Sequence, residues 1–329
     1  MVVSMRLLVT GGMGFIGSNF IRYILSNYHD YQIINLDKLG HGSNPDNLRD
    51  ISNPNYRFLH GDISNTAKFD DVDIVANFAA ETHVDRSISN PRTFLANNTT
   101  GMLNLLEICR REDIQFLQVS TDEVYGSSDG REFDENDRLN PSSPYAASKA
   151  AADVLINAYY KTYGLRSYVS RCTNNYGPYQ SPEKFIPKVI IRASLGRPIP
   201  IYGTGVQIRD WIHVRDHCTA LDRIIHSGKH GEIYNIGASI QVENTNITKQ
   251  ILTIMGKPHS LIEYVQDRPG HDIRYRLNAS KVRSLGWKPM IDFDEGLKET
   301  VGWYLQHTSW WNRVIDETML SPAPWKENW

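Results

Sequence analysis

"VTGGMGFIGSNF", residues 9–20, is the stretch on which the fold turns. It follows the apolar run "RLLVT" and leads into "SNFIRYILSNY", whose apolar residues have helical spacing. Gly12, Gly14 and Gly17 fit G-x-G-x-x-G, and Gly11, Gly14 and Gly17 fit G-x-x-G-x-x-G. Glycines at a strand-to-helix turn let the backbone approach a pyrophosphate, where the N–H groups and dipole of the helix N-terminus favour an anion. Three glycines alone are a weak motif, and a glycine-rich structural turn is the plainer alternative. The context strengthens the dinucleotide reading. A second run, "YQIINLD", ends at Asp37, twenty residues after Gly17, where a carboxylate can accept ribose hydroxyls. An acid there repels a 2′-phosphate and favours NAD, while the adjacent Lys38 leaves NADP open. Asp62 in "FLHGDIS" follows the third run and is either an adenine-end contact or a surface-turn acid.

The alternation continues. "DIVANFAA", "IQFLQVS" and "RSYVSRC" read as further strands, with "GMLNLLEICRRE" and "SPYAASKAAADVLINAYYKTYG" as helices between them. Such a series implies βαβ units and a parallel sheet covered on both faces. The predicted fold class is α/β, a Rossmann doubly wound parallel sheet with a smaller C-terminal substrate-binding lobe. From about Asn174 the rhythm is broken by Pro178, Pro182, Pro187, Pro198 and Pro200. Beyond them "GEIYNIG" reads as a strand, "TKQILTIM" as a helix, and "SKVRSLGWKP" and "FDEGLKETVGWYLQH" as closing helices. The expected division is residues 1–175 as the NAD-binding domain, with about 209–240 partly returning to it, and 176–208 with 241–329 as the smaller lobe. The final "LSPAPWKENW" is either frayed or pinned on something apolar.

Bulk properties narrow the class. A chain of 329 residues accommodates roughly two domains, or one large α/β domain with an annex. The formal net charge of −2 gives no basis for binding nucleic acid or a membrane surface, and no apolar run approaches a membrane span. Cys109, Cys172 and Cys218 are scattered and odd in number, which points to a reducing compartment. "MVVSMRLLVTGG" enters a strand with no secretory pattern, so the expected location is the cytoplasm. His213 and His217 have the i,i+4 spacing of metal ligands, but no third ligand is suitably placed; no metal is expected.

The chemistry-bearing stretch is "QVSTDEVYGSS", residues 118–128. Asp122 and Glu123 stand side by side where an apolar run stops. Within a strand they would point to opposite faces; if the strand ends at Thr121, both can turn into one cleft. An acid pair taken alone reads more simply as a solvated turn. Tyr145 and Lys149 in "SPYAASK" lie four residues apart, on one helix face. A lysine ammonium there favours the phenolate, and such a tyrosine can take a proton from an alcohol that loses hydride to a nicotinamide.

"TGGMGFIGSNF", "NLDKL", "AAETHVDRSI", "STDEVYG", "SPYAASKAAAD", "RCTNNYGPYQSPEKFIP", "YGTGVQIRDWIHVRDH" and "DRPGHDIRY" resemble, in order, segments of the extended short-chain dehydrogenase/reductase family, and within it the dTDP-glucose 4,6-dehydratases. The likeness runs to about residue 310. It implies bound NAD, a nucleotide-sugar substrate (dTDP-glucose), and a homodimer built through a four-helix bundle from helices near 92–111 and 144–163. It implies catalytic roles for Thr121, Asp122, Glu123, Tyr145 and Lys149. Tyr145, with Lys149 and Thr121, would take the C4 hydroxyl proton as hydride leaves C4; Glu123 would take the C5 proton, and Asp122 would protonate the departing C6 hydroxyl.

The resemblance also implies cofactor contacts from Gly11, Gly14, Phe15, Ile16, Gly17, Asp37, Lys38, Leu39, Gly40, Asp62, Ile63, Phe78, Ala79, Ala80, Thr82, Asn97, Ser120, Tyr145, Lys149 and Asn175. On the substrate side, Asn174, Arg209 and Asn246 would hold the pyrophosphate. Lys184, Phe185, Pro200, Ile201 and Tyr202 would wall the nucleotide, and Asp267, Arg268 and His271 of "DRPGH" would close over it. Thr82 would touch both cofactor and sugar, and Thr121, Asp122 and Glu123 the sugar. There are departures: Gly40 stands where a hydroxyl residue is usual, Asn97 where threonine is common, and "GASIQVENTN" is longer than the usual turn. The rival enzyme readings are a UDP-glucose 4,6-dehydratase, a UDP-sugar 4-epimerase and a UDP-glucuronate decarboxylase. The last two have no need of acids to expel a C6 hydroxyl. A non-catalytic dinucleotide-binding regulator would not need the Thr–Tyr–Lys set.

Overall fold

The computed structural model describes residues 4–327; Met1–Val3 at the start, and Asn328 and Trp329 of the tail, lie outside the described residues. Twelve strands are present among them: β1 (Arg6–Thr10), β2 (Gln32–Asp37), β3 (Tyr56–His60), β4 (Ile74–Asn77), β5 (Gln115–Thr121), β6 (Ser167–Cys172), β7 (Asn174–Tyr176), β8 (Ile199–Tyr202), β9 (Ile208–His213), β10 (Ile233–Ile236), β11 (Gln241–Glu243) and β12 (Ile262–Val265). Seven form one sheet in the order β10-β6-β5-β4-β1-β2-β3, every pair parallel. This is the expected doubly wound Rossmann sheet. Successive side chains enter opposite layers: Leu7 and Val9 join one buried cluster and Leu8 the other, which is why such strands read as unbroken apolar runs.

On one face, Phe20, Ile21, Ile24 and Leu25 of helix Phe15–Asn27 pack with Leu221, Ile224 and Ile225 of helix Val214–Ser227. On the other lie Met102, Leu105 and Leu106 of helix Met102–Arg111, with Ala152 and Ile156 of helix Pro144–Tyr163. The strand order reverses between β1 and β4. A doubly wound sheet opens a crevice at the carboxyl ends of its strands there, so a ligand groove is fixed beside Gly11 and Phe78.

The second lobe has its own core. Ile186, Val189 and Ile190 pack with Ile247, Ile251, Leu297, Val301 and Tyr304 around the sheet β11-β9-β7 and the pair β12-β8. Two segments sit differently from the sequence-based division. Ile208–His213 is the middle strand of the lobe's sheet, so the return to the main sheet begins only at Val214 and is completed by β10 beside β6. Ala279, Val282 and Trp287, given to the lobe from sequence, pack in the main-sheet cluster, where the Trp287 indole donates to Thr219 Oγ1 (2.9 Å). The tail is pinned: Trp325 packs edge-on against Tyr202 at 4.9 Å between ring centres, and Lys326 Nζ donates to Gln266 (2.7 Å).

One expected helix is interrupted. The stretch near 92–111 forms a helix at Pro91–Leu95, a wider π turn at Ala96–Gly101 and a helix at Met102–Arg111. Such turns often mark functional positions. Here the turn aims Asn98 inward. Its amide accepts from Glu81 N (2.8 Å) and donates to Glu81 O (3.0 Å) and to Ser148 Oγ (2.9 Å). Asn98 thereby ties the loop after β4 to the helix that carries Tyr145 and Lys149.

Candidate active site

The groove begins at the glycine turn. Gly11 has φ +70°, and a Cβ there would stand 2.6 Å from Ala79 N; at Gly17 it would stand 2.5 Å from Gly11 O. Glycine is therefore required for the turn to sit against the β4 loop and for the helix to sit on the turn. Helix Phe15–Asn27 has no side-chain cap and no acid in its first turn, so its N-terminal N–H groups and positive dipole end face the groove. These residues fit a dinucleotide pyrophosphate.

Asp37 ends β2 and is buried. Its carboxylate accepts from Met13 N (2.9 Å), Leu39 N (2.8 Å) and Ser43 Oγ (2.8 Å). A carboxylate has about four acceptor positions, so one remains for a ribose hydroxyl. Lys38, which left NADP open, is engaged: its Nζ donates to Asn97 (2.8 Å) and lies 3.4 Å from Asp62. A 2′-phosphate would meet both acids. Gly11, Gly14, Phe15, Ile16, Gly17, Asp37, Lys38, Gly40, Asp62, Ile63, Phe78, Ala79, Ala80, Thr82, Asn97, Ser120, Tyr145, Lys149 and Asn175 all line one groove. Leu39 does not. With φ 55° its side chain turns outward and is 40% exposed, and only its backbone N–H serves the site.

The same groove holds Thr121, Asp122, Glu123, Asn174 and Lys184. β5 stops at Thr121, and a single turn, Asp122–Tyr125, follows, with the Thr121 hydroxyl accepting from Glu123 N (3.3 Å). This cap breaks the strand alternation, so both acids reach one cleft. Asp122 is buried; one oxygen accepts from Thr121 Oγ1 (3.3 Å), and the other has no protein partner. Burial, then the charge of Glu123, pushes the Asp122 carboxyl well above its ordinary value, with Arg209 opposing. Burial also raises Glu123, but Arg268, Arg209 and Lys184 all pull it back. The environments of the two acids therefore differ: Asp122 has the stronger drive to keep a proton.

Tyr145 and Lys149 are both buried on helix Pro144–Tyr163, which is capped by Ser143. The expected lowering of the Tyr145 phenol by Lys149 does not hold in the protein alone. Burial, then the charge of Glu123, pushes the phenol well up, and a hydrogen bond with Thr121 only partly offsets this. Lys149 donates to Val119 O (2.7 Å), and burial lowers its ammonium to about 8. Desolvation outweighs the helical spacing that suggested a phenolate.

The remaining substrate-side residues lie outside the groove lining. Arg209 is buried, bonded to the carbonyls of Ile208 (2.9 Å) and Asp272 (2.9 Å), and stacked on Tyr275 at 4.4 Å. Arg268 pairs with Asp85 (2.8 Å), which also accepts from Tyr202 OH (3.0 Å). Asp267 holds His271 Nδ1 (2.6 Å) and Gln207 Nε2 (3.0 Å). Phe185 stacks on Trp211, and Pro200 is buried in β8. Asn246 is on the exposed face of its helix, 3.5 Å from Glu243. Two residues earlier, beyond the end of β11, Asn244 donates its backbone N–H to Gln207 O (3.0 Å), and its buried amide oxygen has no partner. The antiparallel register Glu243↔Ile208 sets this, two residues earlier than the sequence suggested. Glu183 and Tyr275 were also missed; Glu183 stood in the quoted "SPEKF", an acid beside Lys184.

His213 and His217 have structural partners. His213 Nδ1 accepts from Arg215 N (3.2 Å) as the cap of helix Val214–Ser227, and His217 Nδ1 meets Asn175 Oδ1 (2.9 Å). Among the described residues no group of three or more His, Cys, Asp or Glu could hold a metal ion, and no helix is long and apolar enough to cross a membrane.

Comparison with known proteins gives concordant matches. The family model described as GDP-mannose 4,6 dehydratase matches residues 8–300. The low-salt glycan biosynthesis protein Agl12 of Haloferax volcanii is 46% identical over 307 residues, covering 92% of this chain and 99% of that protein. The dTDP-glucose 4,6-dehydratase of Neisseria meningitidis serogroup B is 44% identical over 342 residues, covering 94% of this chain and 96% of that enzyme. Among solved structures, the dTDP-glucose 4,6-dehydratase DesIV of Streptomyces venezuelae, crystallised with NAD bound, superposes with a TM-score of 0.91 at 42% identity, covering 94% of this chain and 100% of that one.

Proposed function

The chain belongs to the GDP-mannose 4,6 dehydratase family, and on that premise we propose that it is an NAD-dependent hydro-lyase converting dTDP-glucose to dTDP-4-keto-6-deoxyglucose and water. The observation that carries the reading is the end of β5, where Thr121, Asp122 and Glu123 enter the groove that also holds Tyr145 and Lys149. An epimerase or a decarboxylase has no use for two acids at that point.

NAD, which Gly11, Gly14, Gly17 and Asp37 would hold, would supply the hydride acceptor for C4 oxidation and the hydride donor for C6. The protein moves the protons. Tyr145, beside Thr121, is proposed to take the C4 hydroxyl proton as a phenolate, a state that the Lys149 ammonium one turn along the helix and the positive charge of bound NAD would favour against the burial that raises the phenol in the protein alone. The C4 ketone so formed acidifies C5. Glu123 removes the C5 proton while Asp122 gives its proton to the C6 hydroxyl, which leaves as water. The drive on Asp122 to stay protonated, and the three cations that favour Glu123 as an anion, support this division of labour. Asn174, Arg209 and Asn244 are proposed for the substrate pyrophosphate, with Asn244 in place of Asn246.

The test follows one hydrogen. Substrate deuterated at C4, incubated with catalytic enzyme and no added cofactor, should give product with deuterium at C6 and a solvent proton at C5, read by proton NMR. Label returned to C4 would mean an epimerase; a sugar one carbon shorter would mean a decarboxylase.

We further propose a homodimer. Leu95 is 49% exposed and Val154 58%, on helices Pro91–Leu95 and Pro144–Tyr163. Ala152 and Ile156 of the longer helix already pack on the sheet side, and Phe94 of the shorter one packs edge-on against Tyr145, so the exposed side chains suit a second helix pair. Sedimentation velocity at micromolar concentration should show a dimer; a monomer would overturn this.

A further inference from the structure

The loop after β2 reads "LGHGS", residues 39–43, with His41 between two glycines. Both ends are tied: Asp37 accepts from Leu39 N (2.8 Å) and Ser43 Oγ (2.8 Å), and Asn44 N donates to Met13 O (2.9 Å). Between the ties Ser43 N donates to Gly40 O (3.1 Å), so residues 40–43 form one turn. Gly42 has φ +83°, and a Cβ there would meet nothing within 4 Å. From this loop His41 reaches across to the segment that leads into the second lobe, where its Nε2 lies 2.8 Å from Glu183 Oε2. The Glu183 side chain is 2% exposed, and His83 Nε2 lies 4.0 Å from the same oxygen. His41 and Glu183 both line the groove that holds Gly11, Gly14 and Asp37. The bond therefore bridges the groove from the nucleotide-binding domain to the substrate lobe.

We propose that the His41–Glu183 contact is a clasp that retains the bound dinucleotide from one turnover to the next. This rests on the NAD reading above, in which the cofactor is regenerated in every cycle and has no need to leave. A dinucleotide lying against Gly14 and Asp37 has this bridge in the lining of the same groove. To release it, the loop must swing out, and the His41–Glu183 bond must break. That leaves a nearly buried carboxylate short of a charge-assisted partner, the costly way to lose a hydrogen bond. Burial by itself would push Glu183 up, but His83, His41 and Lys184 outweigh it and hold the carboxyl well below its usual range, so the acceptor is anionic at neutral pH.

The test is a release rate, not turnover. Native protein, His41→Phe and His41→Gln are loaded with NADH, and the loss of bound-NADH fluorescence is followed in stopped flow after mixing with excess NAD. His41→Phe should release NADH about 10- to 100-fold faster, the range set by losing one charged hydrogen bond. His41→Gln, which keeps a donor for Glu183, should fall between. Thermal unfolding of the three without ligand controls for a merely structural effect, and if the Phe variant does not fold, the Gln variant alone must still release faster than native. Equal release rates overturn the clasp and leave the cofactor reading standing. Protein that takes up neither NAD nor NADH in any form overturns both.

Discussion

Replacing Glu123 by glutamine should give an enzyme that oxidises its substrate once and then stops. The first step needs Tyr145, Lys149 and a hydride acceptor, and Glu123 takes no part in it. Its charge in fact opposes phenolate formation at Tyr145, so an amide at 123 eases that step. The second step needs a base for the C5 proton, and an amide is not one. General-base catalysis is worth about 10²- to 10⁴-fold, and turnover should fall by about that much. Absorbance from bound NADH should rise on mixing with dTDP-glucose and persist, with the C4-oxidised sugar held beside it. Glutamine nearly matches glutamate in shape, so Arg209, Arg268 and Lys184 keep a polar neighbour. Full turnover by the variant would show that another group is the base. Lost turnover with no NADH build-up would place Glu123 in the first step instead.

What could be read from the sequence was chemistry carried by neighbours along the chain. The glycine turn, Asp37 at a strand end, the Thr121–Asp122–Glu123 triplet and the Tyr145–Lys149 pair each lie within a few residues, so strand period and helix pitch are enough to bring them together. The doubly wound sheet was legible for the same reason, since each strand is a short apolar run between helical stretches. The rest depended on contacts between distant segments. Arg268 meets Asp85 across 183 positions, His41 meets Glu183 across 142, and Arg209 lies over Tyr275. No local spacing encodes these.

Asn246 and Asn244 differ by two places, and only the register of β11 on β9 tells which is exposed. The π turn at Ala96–Gly101 was missed because "ANNTTG" offers no helix-breaking residue except its closing glycine; the bonds that draw Asn98 towards Glu81 and Ser148 are tertiary. The proton affinity of Tyr145 was misjudged because burial, which the sequence does not report, weighs more than a lysine one turn away.

Asp122→Asn should block the same elimination from its other side. Hydroxide is too basic to leave C6 unaided, so the departing oxygen must be protonated as its bond breaks. In the native protein Asp122 can do this because burial and the adjacent Glu123 hold its carboxyl well above the ordinary value, and because one of its oxygens has no protein partner on a side chain that lines the groove. An amide has no such proton to give. Turnover on dTDP-glucose should fall by about 10²- to 10⁴-fold, again with bound NADH accumulating. A 6-fluoro analogue separates acid catalysis from a general disturbance of the site, because fluoride is a far weaker base than hydroxide and leaves without full protonation. With that analogue the loss should shrink to about tenfold or less.

The pH dependence has a definite sign. In single-turnover decay of bound NADH, the native rate rises with pH as Glu123 ionises and falls as Asp122 loses its proton. Lys149, whose ammonium burial lowers to about 8, serves the oxidation step and so is not expected to shape this decay. In Asp122→Asn the falling limb should vanish while the rising limb remains. If the variant is slowed as much on the 6-fluoro analogue as on dTDP-glucose, or keeps its falling limb, the acid that expels water is not Asp122.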